Sequence, residues 1–264
     1  MKGRVKKKSP LVSSSVKSLR KARRVTSAFH ELTAELQAAK STGKSDKAAS
    51  IQKELDNLGG RGAYQEASVL ATSRSRHTSK WVFSELTRLA HRPGKGEPAL
   101  RVLEVGAVNT QICSIPWMDV HAIDINSCNP RIKQIDFFDL VPNGEYFVVV
   151  CSMVINCVPT PEARGQMMRN LYAHTHRGGL VFLTLPLRCL THSKATTWDM
   201  FVAIAEKVGF SIQSSKISPK VAFFCLRRPD GTSQSKDSHD CQPPPGAEPC
   251  PKSSKRNNSF DIVL

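Results

Sequence analysis

Three carboxylates and one glycine close successive apolar runs, and together they define the chemistry to be explained. The run "ALRVLEVGAVNT", residues 99–110, carries Glu104 and stops at Gly106. "AIDIN" puts Asp124 at the next run's end, and "QIDFFDL" puts Asp136 beside Phe137. In a doubly wound sheet the ligand lies beyond the carboxyl ends of the strands, so these residues fall together. A pyrophosphate there needs several backbone N–H groups at close approach, which dinucleotide folds obtain from a glycine cluster. "VGAVNTQ" has one glycine and no cluster. An acid at the second strand end suits both hydroxyls of a ribose. A nucleoside without phosphate and with positive charge fits this set, and S-adenosylmethionine is such a molecule. Gly106 would allow close backbone approach, and Glu104 would favour the cationic end, through water. Asp136 would accept from the adenine amino group while Phe137 packs on the ring. The plainer alternatives are a turn glycine at Gly106, a loop acid or cap at Asp124, and a turn acid with a core aromatic at Asp136 and Phe137. Glu104 is harder to dismiss in this way, because an unpaired buried carboxylate is costly.

"VVVCSMVINCVPTPEARG" is the second informative stretch. A β-branched strand ends in Ser152; Asn156, Val158 and Pro159 follow, and a helix is expected from about Pro161. Many amino-group methyltransferases place a polar-proline motif at this strand end. The full Asn-Pro-Pro-aromatic form is absent here, which favours a ring nitrogen over an exocyclic amine as acceptor. A ring nitrogen needs alignment and exclusion of water, so positioning carries most of the rate. Asn156 and Ser152 are the candidate catalytic residues that orient the base, with Val158 and Pro159 shaping the pocket. The alternative for Asn156 is that it merely fastens its loop.

The elements that must position these residues follow from periodicity. Strands are expected at about 100–105, 119–124, 146–152 and 179–185, and helices at about 161–175 and 194–208, the second stopped by Gly209. Two strand-like runs flank Pro219 and are expected to form an antiparallel pair. The fold class expected is α/β: a Rossmann-like class I methyltransferase with a mostly parallel sheet, a C-terminal antiparallel strand pair and a helical N-terminal extension. In that extension "FHELTAELQAAK" and "KAASIQKELDNLGG" have helical spacing, separated by "STGKSD" and ended by Gly59-Gly60. Residues 61–80 read as polar and basic. A further helix places Trp81, Val82, Leu86 and Leu89 on one face.

The division expected is a disordered basic arm at 1–30, a helical extension at 31–92, a methyltransferase core at 93–230 and a disordered tail at 231–264. Residues 1–30 hold ten Lys or Arg and no acid, more than half of the chain's net charge of +16. So one-sided a charge implies an acidic partner, nucleic acid first. It also suits a nuclear or nucleolar address, with a solubilising tail as the plainer alternative. The longest nearly apolar run, Tyr146 to Val158, is too short to span a bilayer. No apolar h-region follows the basic N-terminus, so an intracellular protein is expected. The eight cysteines show neither a CxxC pair nor zinc spacing, so structural thiols and no metal are expected.

Several of these stretches, in order over roughly residues 50–228, resemble the fungal 25S rRNA adenine-N1 methyltransferases. They are "GGRGAYQEASVLATSRSRHTSKWV", "LEVGAVNT", "IDINS", "QIDFFD", "CSMVINCVP" and "RGGLVFLTLPLRCL". The resemblance implies methyl transfer from S-adenosylmethionine to N1 of one adenine in large-subunit rRNA, in the nucleolus of the nucleus. It implies Gly106 and Asp124 as cofactor positions. The partner expected is large-subunit rRNA or the pre-ribosome, with no membrane and a monomeric protein. Arg74, Arg76 and Lys80 are expected to join the basic arm in holding the RNA backbone. Two other readings stay open: a non-catalytic S-adenosylmethionine-binding sensor, as in the animal relatives this family resembles, and a nicotinamide oxidoreductase, which the missing glycines disfavour.

Overall fold

The computed structural model describes residues 18–72, 77–125, 127, 129–231 and 258–264. Arg74, Arg76 and residues 1–17 of the basic arm lie outside the described residues. The chain forms two compact units, divided near Arg74.

The first unit is helical, with α1 (Leu19–Ser41), α2 (Ser45–Asn57) and α3 (Gly60–Thr72). Helix α1 reaches further back than the sequence pattern, into the stretch expected to be disordered. Ser18 caps it by accepting from the Lys21 backbone N–H at 3.2 Å. The physical reason is a narrow stripe of small residues. Ala22 and Val25 of α1 bury against Ala63 and Ala67 of α3, and the Phe29 and Tyr64 rings stack with centroids 4.6 Å apart. Composition understated residues 19–30, because tertiary contact supplies the burial that their own apolar content lacks. Helix α3 occupies much of the segment read only as polar and basic. Among its described side chains the buried ones are alanines, and alanine makes a weak hydrophobic signal. Gly59 does follow α2, with φ +95°, whereas Gly60 already opens α3.

The second unit begins with α4 (His77–Arg88). Seven strands follow: β1 (Leu100–Val105), β2 (Met118–Asp124), β3 (Lys133–Gln134), β4 (Tyr146–Ser152), β5 (Thr175–Pro186), β6 (Ser211–Ile217) and β7 (Val221–Arg227). Helix α5 (Pro161–His174) joins β4 to β5, while α6 (Arg188–Thr191) and α7 (Trp198–Val208) join β5 to β6. The strand order is β3-β2-β1-β4-β5-β7-β6. Strands β1 to β5 pair in parallel, and β7 runs antiparallel to both β5 and β6. This is the class I methyltransferase sheet, in which the antiparallel hairpin sets the fold apart from dinucleotide dehydrogenases.

Side-chain alternation divides each central strand between two cores. Leu103, Val149, Val181 and Phe224 face α5 and α7, where Phe201 and Met168 are fully buried. Val102, Val148, Phe182 and Cys225 face α4. Trp81 of α4 meets the Phe182 and Phe223 rings edge-on at 5.2 and 5.1 Å. Helix α4 therefore belongs to the sheet's unit and not to the N-terminal extension, which moves that boundary from about residue 92 to the segment before α4. Helix α7 starts at Trp198, capped by Thr197, and Gly209 ends it at φ +113°. The described tail residues also differ from expectation. Phe260 and Ile262 are 4% exposed and join the α5–α7 core, so 258–264 are packed, not disordered.

Candidate functional site

The parallel strands of this unit end on one edge, and a recess of about 210 Å³ opens there. Its walls include Gly106 after β1, Asp124 and Ile125 after β2, Asp136, Phe137 and Phe138 after β3, and Val154, Cys157, Val158 and Pro159 after β4. Four positions proposed from the sequence, Gly106, Asp124, Asp136 and Phe137, thus share one cavity. Pockets for drug-sized ligands generally run to roughly 300–1,000 Å³, so this recess is smaller than one that encloses a whole cofactor.

Each wall has a local cause. Gly106 has φ +70°, and a Cβ there would overlap Cγ2 of Val154. The β1 and β4 exits approach so closely only because residue 106 lacks a side chain. Asp124 ends β2 in register beside Gln134, and its carbonyl accepts from the Ile135 N–H at 3.2 Å. Asp136 caps the 3₁₀ turn Phe137–Asp139 by accepting from the Phe138 N–H at 3.0 Å. The Phe137 ring is buried against His174, with centroids 5.2 Å apart. Ile125 and Phe138 are the exposed apolar members of the lining. Sequence reasoning missed both, although each directly follows a chosen residue at a strand end. Large apolar side chains left exposed beside carboxylates are what a flat aromatic ligand would cover.

Glu104, Ser152 and Asn156 sit beside the recess, outside its lining. Alternation puts Glu104 on the α4 side of β1, the side of Val102. Its Oε2 is buried and has no hydrogen-bond partner among the described residues. Burial pushes this carboxyl up to about 8. Ser152 shares that face. Its hydroxyl donates to Thr78 Oγ1 of α4 at 3.2 Å and lies 3.0 Å from Thr184 Oγ1 of β5. The hydroxyl chosen to orient a base therefore links α4 to the ends of β4 and β5. Asn156 occupies the 3₁₀ turn Ile155–Cys157, with Nδ2 donating to Cys157 Sγ at 3.3 Å. Its Oδ1 is buried and without a partner among the described residues. Lys80 is exposed on α4.

Loss of one hydroxyl bond of this kind costs about 1 kcal/mol. Thr78→Val is expected to destabilise the fold by about that amount and to leave the recess intact, as chemical denaturation and a cofactor titration would show.

Two features test whether S-adenosylmethionine suits these residues. The recess offers carboxylates and apolar walls, and among the described residues Gly106 is the only glycine that lines it, so no glycine cluster stands there for a phosphate. Two buried acceptors beside the recess, Glu104 Oε2 and Asn156 Oδ1, have no donor among the described residues, as a site awaiting a cationic ligand would. The residues fit the molecule.

Residues 49–262 match the family model described as 25S rRNA (adenine(2142)-N(1))-methyltransferase, Bmt2. The chain belongs to this family. Among curated relatives of this methyltransferase family, the chain is 30% identical over 198 residues to the 25S rRNA adenine-N(1) methyltransferase of Schizosaccharomyces pombe, covering 68% of this chain and 70% of that protein. It is 27% identical over 190 residues to the 25S rRNA (adenine(2142)-N(1))-methyltransferase of Saccharomyces cerevisiae, covering 67% of this chain and 53% of that protein. The chain thus spans about half the length of that second relative. Among solved structures it is similar to the 1,6-didemethyltoxoflavin-N1-methyltransferase of Burkholderia thailandensis, with a TM-score of 0.43 and 15% identity over 63% of this chain and 90% of that one. Among the described residues, no helix is long and apolar enough to cross a membrane.

Proposed function

We propose that this member of the family transfers a methyl group from S-adenosylmethionine to N1 of an adenine in large-subunit rRNA. The observation that carries the reading is the recess itself: Asp124 and Asp136 at neighbouring strand ends, flanked by Ile125 and Phe138. Asp124 would accept from ribose hydroxyls and Asp136 from an adenine amino group, with the two apolar side chains against the ring. Glu104 would offer an acceptor to the ammonium group, through water. When bound, S-adenosylmethionine supplies a methyl group on a positively charged sulfur.

The rest falls to the chain. N1 of a neutral adenine already carries its lone pair, so no residue has to remove a proton. Catalysis then consists of holding the base in line and excluding water. Val158 and Pro159 present apolar surface at the β4 exit, and the unpartnered Oδ1 of Asn156 is a candidate to accept from the adenine amino group. A paired adenine must first leave its stack, at a cost of a few kcal/mol. Basic residues 1–30, with Arg74, Arg76 and Lys80, would meet this cost through phosphate contacts. The same basic stretch supports a nucleolar location and a pre-ribosomal substrate.

The test is transfer of labelled methyl groups to a large-subunit rRNA transcript, followed by nucleoside mass spectrometry. Label in 1-methyladenosine is expected, and Asp124→Ala should weaken cofactor binding roughly 10- to 100-fold, as loss of one or two charge-assisted hydrogen bonds implies. Cofactor binding without any methylated adenine in rRNA would favour the sensor reading.

A further inference from the structure

Residues 258–264 lie against the first half of α5 and the α6–α7 connection. The Val263 N–H donates to Pro161 O at 3.0 Å, and a Cβ on Gly165 would overlap the Val263 carbonyl oxygen. Gly165 therefore admits the segment to the helix surface. Thr196, fully buried, holds the segment from its other side. Its hydroxyl donates to Asp261 Oδ1 at 2.9 Å and accepts from the Ile262 N–H at 3.2 Å. Burial of Phe260 and Ile262 adds the apolar anchor.

Arg164 of α5 joins this segment to the recess. Its Nε donates to Val158 O at 2.9 Å, Nη1 to Asp261 O at 2.8 Å and Nη2 to Pro159 O at 3.4 Å. The guanidinium also lies 5.0 Å from the Phe260 ring centroid. Among the described residues it has no carboxylate within ion-pair distance. Its donors serve backbone carbonyls, and two of those carbonyls belong to the residues that form the recess wall. A planar fork with five donors can span three carbonyls in this way, while an ammonium cannot reproduce the geometry.

We infer that Arg164 is a positioning residue for the cofactor recess, and that residues 258–264 set its pose. The inference rests on the cofactor reading above. Pro159 has no N–H to donate, and the guanidinium ties the Val158 and Pro159 carbonyls to α5 and to the 258–264 segment. Asp261 O and the Phe260 ring fix the guanidinium. Loosening the segment should then act on the recess through Arg164, although the segment does not line it.

The test uses the full chain and titrates S-adenosylmethionine calorimetrically against Arg164→Met, Arg164→Lys, Thr196→Val and the Arg164→Met/Thr196→Val pair. Ile204→Ala in α7 controls for general loss of stability. Arg164→Met should raise Kd about 10-fold and Arg164→Lys nearly as much, while Thr196→Val should raise it about 3-fold. The double variant should match Arg164→Met alone, because both changes act through one group. With rRNA as acceptor, KM for S-adenosylmethionine should rise in parallel while kcat stays within about 2-fold. Should Arg164→Met fail to fold, Arg164→Lys and Thr196→Val decide the matter alone. Variants that lose thermal stability like Ile204→Ala but bind as the parent does would overturn the inference and leave the cofactor reading standing. A parent chain that binds no S-adenosylmethionine would overturn both.

Discussion

Gly106→Ala should lower affinity for S-adenosylmethionine at least 100-fold, with Val154→Ala restoring part of the loss. Two costs combine at this position. An L-residue at φ +70° is disfavoured by about 1–2 kcal/mol. The added Cβ would also overlap Val154 Cγ2, and Val154 is itself a wall of the recess. The clash is relieved if Val154 turns its side chain, if the β4 exit moves or if residue 106 changes its backbone angles, and each change alters the recess wall. Removing the Val154 side chain abolishes the overlap and leaves the backbone cost. The double variant should therefore recover roughly 10-fold and remain below the parent. Calorimetric titration alongside thermal denaturation separates lost binding from lost folding. Parent-like affinity in Gly106→Ala would show that the β1 exit takes no part in binding.

The second large effect concerns the pH dependence that Glu104 imposes. Burial raises its carboxyl from 4.5 to about 8 in the folded chain. Between those values the folded state binds more protons than the unfolded state, so stability falls as pH rises through that window. At about 1.4 kcal/mol per tenfold change, the cost by pH 8.5 is on the order of 4 kcal/mol. Glu104→Gln should remove this slope and be more stable than the parent at pH 8.5, as denaturant titrations across pH would reveal. Binding should show the opposite preference. A cationic ligand favours the carboxylate, so the parent's affinity should rise with pH up to about 8. At pH 7, where the free carboxyl is mostly neutral, binding should release close to one proton, measurable as a difference in heat between buffers of unlike ionisation enthalpy. The ligand's own amino group titrates equally against both proteins, so the difference between parent and Gln variant isolates Glu104. Equal proton release from the two would remove Glu104 from the site.

Legibility in the sequence depended on where the signal was local. The sheet of the second unit was legible because buried strands advertise themselves: "RVLEV" and "YFVVVCS" are β-branched and nearly continuous, and Gly209 and Thr160 sit where helices turn or start. The acids Asp124 and Asp136 were legible for the same reason, since a strand end is a position along the chain. Helix α3 and the early turns of α1 were less so, because they bury alanines, and an alanine stripe carries little hydrophobic contrast. The roles of Ser152 and Glu104 needed the third dimension. Only pairing of β4 with β5, and the seat of α4 against them, shows Ser152 bonded to Thr78 and Thr184.

By itself, then, the sequence determined most strands and helices of the second unit, the lone glycine and the acids at the sheet's ligand edge, and the concentration of positive charge in the first thirty residues. These are set by neighbours along the chain: alternation, caps, turns and composition. Tertiary structure alone decided that α4 covers the sheet, that Ile125 and Phe138 stay exposed beside the carboxylates, and that residues 258–264 reach Arg164. Those contacts join residues as far as 97 positions apart. Their partners are chosen by packing in space, which no local pattern encodes.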